Sequence, residues 1–161
     1  MIIILDFGSQ YTQLIARRVR EAKVYCEILP YRISVEEIRK RNPSGLILSG
    51  GPSSVYADDA PRPDVGIWSL GTPVLGICYG MQLMTEHFGG RVKKATQREY
   101  GLAELNVSHA GGIFGGLGDR LPVWMSHGDA AESLPDGFIC LAQSKNSPFA
   151  EIGRASCRER V

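Results

Sequence analysis

Four short apolar runs, separated by stretches of helical spacing or by loops, constrain this chain more than any other feature. Residues 2–5 (Ile2, Ile3, Ile4, Leu5), 24–29, 45–48 and 73–77 are dominated by apolar side chains and are too short to be helices. Between the first two runs, Leu14, Ile15, Val19 and Ala22 form a helical pattern and are expected on one side of a helix. Ser34 opens a second helix, with Glu37 three residues later as a capping box. Strands that alternate with helices are covered on both faces, so the pattern argues for an α/β fold with a mostly parallel sheet flanked by helices and right-handed crossovers. After Gly89-Gly90 the texture changes. Residues 91–96 and 102–107 read as antiparallel strands with turn residues around them, 111–118 with its five glycines as loop, and 138–142 as a further strand.

A chain of 161 residues can bury one sizeable core and is short for two ordinary domains, so a single domain over residues 1–152 is the economical reading. Residues 148–152 can enter a strand. The segment Gly153-Arg154-Ala155-Ser156-Cys157-Arg158-Glu159-Arg160-Val161 offers neither helical nor strand periodicity. It reads as a non-native or read-through tail on a truncated chain and is set aside from fold reasoning, with a natural charged tail as the alternative.

Charge and cysteine usage exclude several function classes. With 18 basic and 17 acidic side chains the net charge is +1, which gives no electrostatic footprint for nucleic acid. The Arg17, Arg18, Arg20 run is followed at once by Glu21 and reads as a solvated helix face. The apolar start ends at Asp6 with no basic residues before it, too short for a signal peptide core or a membrane span. Cys26, Cys78, Cys140 and Cys157 form no C-x-x-C pair and no zinc-like spacing with the three histidines, so no structural metal is expected and a reducing cytoplasm fits best.

The strongest chemical signal is Gly76-Ile77-Cys78-Tyr79-Gly80, with apolar Pro73-Val74-Leu75 before it and helical Met81-Gln82-Leu83-Met84 after it. This is the cysteine form of a nucleophile elbow, a sharp turn from strand into helix. Gly76 and Gly80 leave room for close packing around the turn, which lifts Cys78 out of the core at the carboxyl end of a strand. The positive end of the following helix then favours thiolate over thiol. A buried core cysteine is the usual fate of an unreactive thiol, and Cys26 and Cys140, each inside a strand pattern, are expected to be of that kind.

A second signal, Ser49-Gly50-Gly51-Pro52, also follows an apolar run. Two glycines at a strand end let backbone N–H groups face a developing oxyanion with no Cβ in the way, and the N–H of Tyr79 would supply the other donor. Alone the loop is ambiguous. Ser-Gly-Gly also opens a phosphate-binding loop, but that motif wants an aspartate soon afterwards and here Pro52-Ser53-Ser54 follows; a plain β-turn is the third possibility. The third signal is Trp124-Met125-Ser126-His127-Gly128-Asp129, which puts a histidine near an expected strand end and invites the role of general base. A structural or substrate-contact histidine is the preferred reading of His127. His87, on the helix after the elbow, and His109, in a turn, carry no motif that recommends them.

Together the three segments resemble the class I, or triad-type, glutamine amidotransferases. Ile4-Leu5-Asp6-Phe7-Gly8-Ser9-Gln10-Tyr11, Leu48 through Tyr56, Arg98-Glu99-Tyr100-Gly101 and Trp124 through Asp129 narrow the likeness to the GMP synthase branch, over residues 2 to about 152. The resemblance implies a flavodoxin-like fold. It also implies that Cys78 attacks the carboxamide of glutamine while Gly51 and Tyr79 hold the oxyanion, and that Gly50, Gln82, Ser126 and His127 bind substrate. Asp129 would meet the synthetase half. No cofactor is implied for this domain; ATP and Mg²⁺ belong to an ATP-pyrophosphatase partner, and a homodimeric parent is compatible with the likeness. The family's base is a histidine in a Gln-Phe-His-Pro-Glu type segment, which these residues do not contain. Near-silence as a glutaminase is therefore the expectation. An inert docking module for a synthetase subunit is the alternative, and a redox-sensing cysteine protein a third.

Overall fold

The computed structural model describes residues 1–154, and of residues 96–99 the backbone alone. The chain divides into two compact units, Met1–Met84 and Thr85–Val161, each with its own sheet. Residues 155–161, with Cys157 and most of the suspected tail, lie outside the described residues.

The first unit holds β1 (Ile2–Asp6), α1 (Thr12–Glu21), β2 (Cys26–Pro30), α2 (Val35–Arg41), β3 (Gly45–Leu48) and β4 (Val74–Gly76). A short 3₁₀ helix, Val65–Ser69, precedes β4, and α3 (Tyr79–His87) follows it after Ile77 and Cys78. All three strand pairings are parallel and the order is β2-β1-β3-β4. Adjacent β1 and β3 make this a doubly wound sheet whose direction of winding reverses at that pair. In such sheets the loops at the carboxyl ends of the two strands part and leave a crevice. β1 and β3 supply the fully buried Ile3, Ile4, Leu5, Leu46 and Leu48. Apolar, β-branched runs of this kind are what a sheet covered on both faces selects.

The helices follow the sequence with informative departures. α1 turns Ala16, Ile15 and Val19 onto Ile4, Cys26 and Ile47. Leu14, expected on that same side, is 45% exposed; two residues before the buried Ala16, it lies about 160° away around the helix, on the opposite face. Ala22 falls just past the helix end as its C-cap. β2 starts at Cys26, two residues later than the apolar run, with Val24 and Tyr25 exposed. α2 begins as expected: the Ser34 side chain accepts from Glu37 N–H at 3.3 Å. The Glu37 carboxylate turns to Lys40 (2.7 Å) and Arg41 (3.2 Å), which hold it below the usual carboxylate range. Asp64 adds a cap not foreseen, accepting from Val35 N–H and from Gly66 N–H, both at 2.9 Å.

The second unit is an antiparallel sheet of order β6-β5-β7-β8, from β5 (Arg91–Val107), β6 (Arg120–Ser133), β7 (Phe138–Gln143) and β8 (Glu151–Arg154). The two strands expected at 91–96 and 102–107 are opposite ends of β5, and both pair with β6. The break read between them is real but smaller than a turn. The register shifts between Lys94 and Glu99, and Gly101 has φ +106°, so the strand bends there and continues. Leu105, Phe114 and Ala142 form its core, with Val107, Leu121, Val123 and Met125 packed around them. Gly153 and Arg154, set aside as tail, pair with Ile139 and Phe138, and the Arg154 guanidinium lies 4.5 Å from the Phe88 ring centroid. No helix among the described residues is long and apolar enough to cross a membrane.

Candidate active site

Three loops leave the carboxyl ends of β1, β3 and β4, and buried hydrogen bonds tie them together. Ser49 N–H donates to Leu5 O at 3.0 Å, Ile77 N–H to Leu48 O at 2.9 Å, and Gly80 N–H to both Ile77 O (3.0 Å) and Ser49 O (3.2 Å). The elbow is thereby bolted to the end of β3. Cys78 sits at its apex with φ +49°, one of three non-glycine residues with positive φ among those described. An L-residue in that region costs about 1–2 kcal/mol, and such strain persists only where the surroundings over-determine it.

The glycines of the elbow are those surroundings. A Cβ on Gly76 would lie 2.5 Å from Gly80 C and from Met81 N; one on Gly80 would lie 2.6 Å from Leu48 Cβ and closer still to Leu48 O. Strand and helix therefore cross at backbone contact, and only Ile77 and Cys78 join them. Cys78 is exposed there, and its carbonyl accepts from Gln82 N–H at 3.0 Å, the first turn of α3. Tyr79 anchors the turn from below. Its side chain is 1% exposed, its hydroxyl donates to Pro61 O at 2.7 Å, and its ring lies 5.5 Å from that of Phe7. Gln82 is buried one helical turn beyond the cysteine.

Gly50 and Gly51 are glycines for different reasons. A Cβ on Gly51 would come within 2.8 Å of Phe7 O, so the fold forbids it. A Cβ on Gly50 would meet only ordinary contacts, 3.5 Å from Ser9 Oγ and 3.6 Å from Cys78 Cβ. The space beside Gly50 is thus the space between Ser9 and Cys78, open without any demand from packing. Ser9 carries no signal of its own in the sequence beyond the family-like segment that contains it. Its place here depends on β1 lying beside β3.

The first unit therefore brings together Gly50, Gly51, Cys78, Tyr79 and Gln82. Ser126, His127 and Asp129 belong to the second unit, on β6, opposite Tyr100, Glu99 and Lys94 of β5. His127, expected near a strand end, lies well inside the 14-residue β6, because the strand runs on to Ser133. The recess of about 640 Å³ in that unit is lined by Tyr100, Leu102, Glu104, Asn106 and Lys145 among others, and by none of these candidates. Of the other two described cysteines, only Cys26 has the buried place expected of both. Cys26 is buried with Sγ donating to Ala16 O at 3.5 Å, and burial pushes the half-buried Cys140 thiol above its ordinary 9.0.

An exposed sulfur on a strained strand-to-helix apex, beside a double-glycine loop on the neighbouring strand, is an arrangement that can support covalent acyl transfer. The family model of the class-I glutamine amidotransferases matches residues 3–156. The chain belongs to that family.

Among class-I glutamine amidotransferases, the glutamine-hydrolysing GMP synthase of Campylobacter lari is 56% identical over 152 residues, and that of a Nitratiruptor species 58% over 155. Each alignment covers 94% of this chain and 30% of the relative, so the chain spans under a third of the length of these curated relatives. A solved structure from Thermoplasma acidophilum, described as a subunit of GMP synthase, is 33% identical with a TM-score of 0.83, covering 95% of this chain and 77% of that one. A glutamine amidotransferase from Thermotoga maritima, 20% identical at a TM-score of 0.75, shares the fold.

Proposed function

We propose that this chain is the glutamine-hydrolysing part of a GMP synthase, with Cys78 as its nucleophile. The observation that carries the reading is the exposed Cys78 at φ +49°, beside the double-glycine loop of β3. The sulfur, favoured as thiolate by the start of α3, attacks the carboxamide carbon of glutamine. The oxygen that gathers charge is held by the N–H groups of Gly51 and Tyr79. The C–N bond then breaks, the nitrogen takes a proton and leaves as ammonia, and water cleaves the remaining thioester to glutamate and thiol. Gly50 borders the reacting group and Gln82 contacts the amino-acid end. The substrate-binding roles of Ser126 and His127, and the interdomain role of Asp129, rest on their motif. Ammonia would pass to an ATP-pyrophosphatase partner, where ATP with Mg²⁺ activates xanthosine monophosphate for amination to GMP.

The 161 residues hold no Gln-Phe-His-Pro-Glu segment to supply the base and proton donor. General acid–base assistance is worth roughly 10²–10⁴-fold, so this polypeptide by itself is expected to release glutamate only slowly. Glutamine protection of Cys78 tests the assignment independently of turnover. An electrophilic glutamine analogue, the chloroketone of L-glutamate in which chloromethyl replaces the amide nitrogen, is expected to alkylate Cys78, with L-glutamine slowing the reaction and D-glutamine not. Alkylation indifferent to L-glutamine would favour the inert docking module. Rapid glutamate release that survives Cys78→Ala would remove Cys78 from the mechanism.

A further inference from the structure

Ser49 is wholly buried, yet every polar group it owns is engaged. Its N–H donates to Leu5 O, its carbonyl accepts from Gly80 N–H, its Oγ accepts from Phe7 N–H at 3.0 Å, and that hydroxyl donates to Gly50 O at 2.8 Å. The last bond matters most. A peptide unit is planar and trans, so its C=O and N–H point in opposite directions. Fixing the Gly50 carbonyl therefore fixes the direction of the Gly51 N–H. That N–H has no acceptor among the described residues. Glycines on both sides would otherwise let the plane rotate, since neither carries a Cβ to restrict its torsions.

We propose that Ser49 is a positioning residue, whose hydroxyl clamps the Gly50–Gly51 peptide and so aims the Gly51 N–H at the oxygen that gathers charge. This rests on the glutamine-hydrolysing reading above. The relay Phe7 N–H to Ser49 Oγ to Gly50 O ties that aim to the end of β1, which is the frame of the sheet. A donor aligned in advance need not reorganise when the oxyanion forms, and preorganisation of this kind is a large part of such catalysis. Rotation of the peptide would weaken the interaction with the reacting carbonyl and leave access to the sulfur unchanged.

The test compares two alkylating agents on the full 161-residue chain. With the chloroketone of L-glutamate, the Cys78 thiolate forms a C–S bond and chloride leaves, while the adjacent ketone oxygen occupies the place of the carboxamide oxygen. Iodoacetamide reports the reactivity and access of the same sulfur without glutamine recognition. Ser49→Ala is expected to slow the chloroketone about tenfold or more and to leave the iodoacetamide rate within about twofold. Ser49→Cys keeps the volume but is a poor donor; it is expected to fall between, and it decides the matter if the alanine variant does not fold. Adduct mass, mapped to the Cys78 peptide, separates the new thiol from the old. A structural role alone would change both rates and the melting temperature together. An unchanged ratio in either folded variant overturns the positioning role. If the parent chain reacts with no protection by L-glutamine, the functional reading fails first and this inference falls with it.

Discussion

At the scale of single residues, the elbow was readable because its glycines are forced. Gly76 and Gly80 stand two residues either side of Cys78, and in the fold each would collide with backbone if it carried a Cβ. A steric requirement of that kind leaves a mark in sequence. Hydrogen-bond roles do not. Nothing in the letters around Ser49 says that its hydroxyl reaches the end of β1, because the partner is Phe7, distant in sequence. The apex itself carries a measurable cost. Cys78→Gly removes the penalty of positive φ, whereas Cys78→Ala keeps it, so the glycine variant should be the more stable by about 1 kcal/mol. Paired denaturant titrations measure this. Equal midpoints would show that the bend at residue 78 is relaxed in solution.

At the scale of elements, the parallel sheet was legible and the antiparallel one only partly so. Buried strands of a parallel sheet are continuous apolar runs, and residues 45–48 became β3 without adjustment. β5 is long, with one face bearing Leu105 and Val107, packed with Phe114 and Ala142, and the other bearing Tyr100 and Leu102, exposed at 65% and 78%. Its Gly101 looked like a boundary when it is a bend. Long-range caps were equally hidden. Asp64 closes the first turn of α2 and of the 3₁₀ helix at Val65–Ser69, and these two backbone donors hold its carboxyl below the ordinary 3.8. An acid whose pKa is lowered by folding stabilises the fold above its unfolded value, and that contribution disappears as pH falls through the folded one. Asp64→Ala should lower the melting temperature at pH 7 and flatten its fall below pH 4. Identical profiles would mean that the two helix starts are held by other means.

Across the whole molecule carboxylates shift in both directions, and Glu151 supplies the opposite sense to Asp64. Glu151 on β8 is half-buried, and burial pushes its carboxyl above the ordinary 4.5. Here the sign reverses. The folded form binds its proton more tightly than the unfolded chain, so stability is greatest below the unfolded pKa and is lost as pH rises through the raised value. Glu151→Gln should melt higher than the parent at neutral pH and match it near pH 4, in differential scanning calorimetry of both proteins. A difference that does not depend on pH would assign the effect to packing. The residue lies just short of the stretch set aside as foreign in sequence, and Gly153 within that stretch pairs with Ile139. Composition alone could not distinguish a strand so short from a tail, because four residues show too few alternations to establish a period.

The bonds from Ser49 to Leu5 and from Gly80 to Ser49 join the outlets of β1, β3 and β4 into one girder. Sulfur and amide cannot then loosen in turn as the protein warms. They are lost in one step, when the sheet beneath them melts.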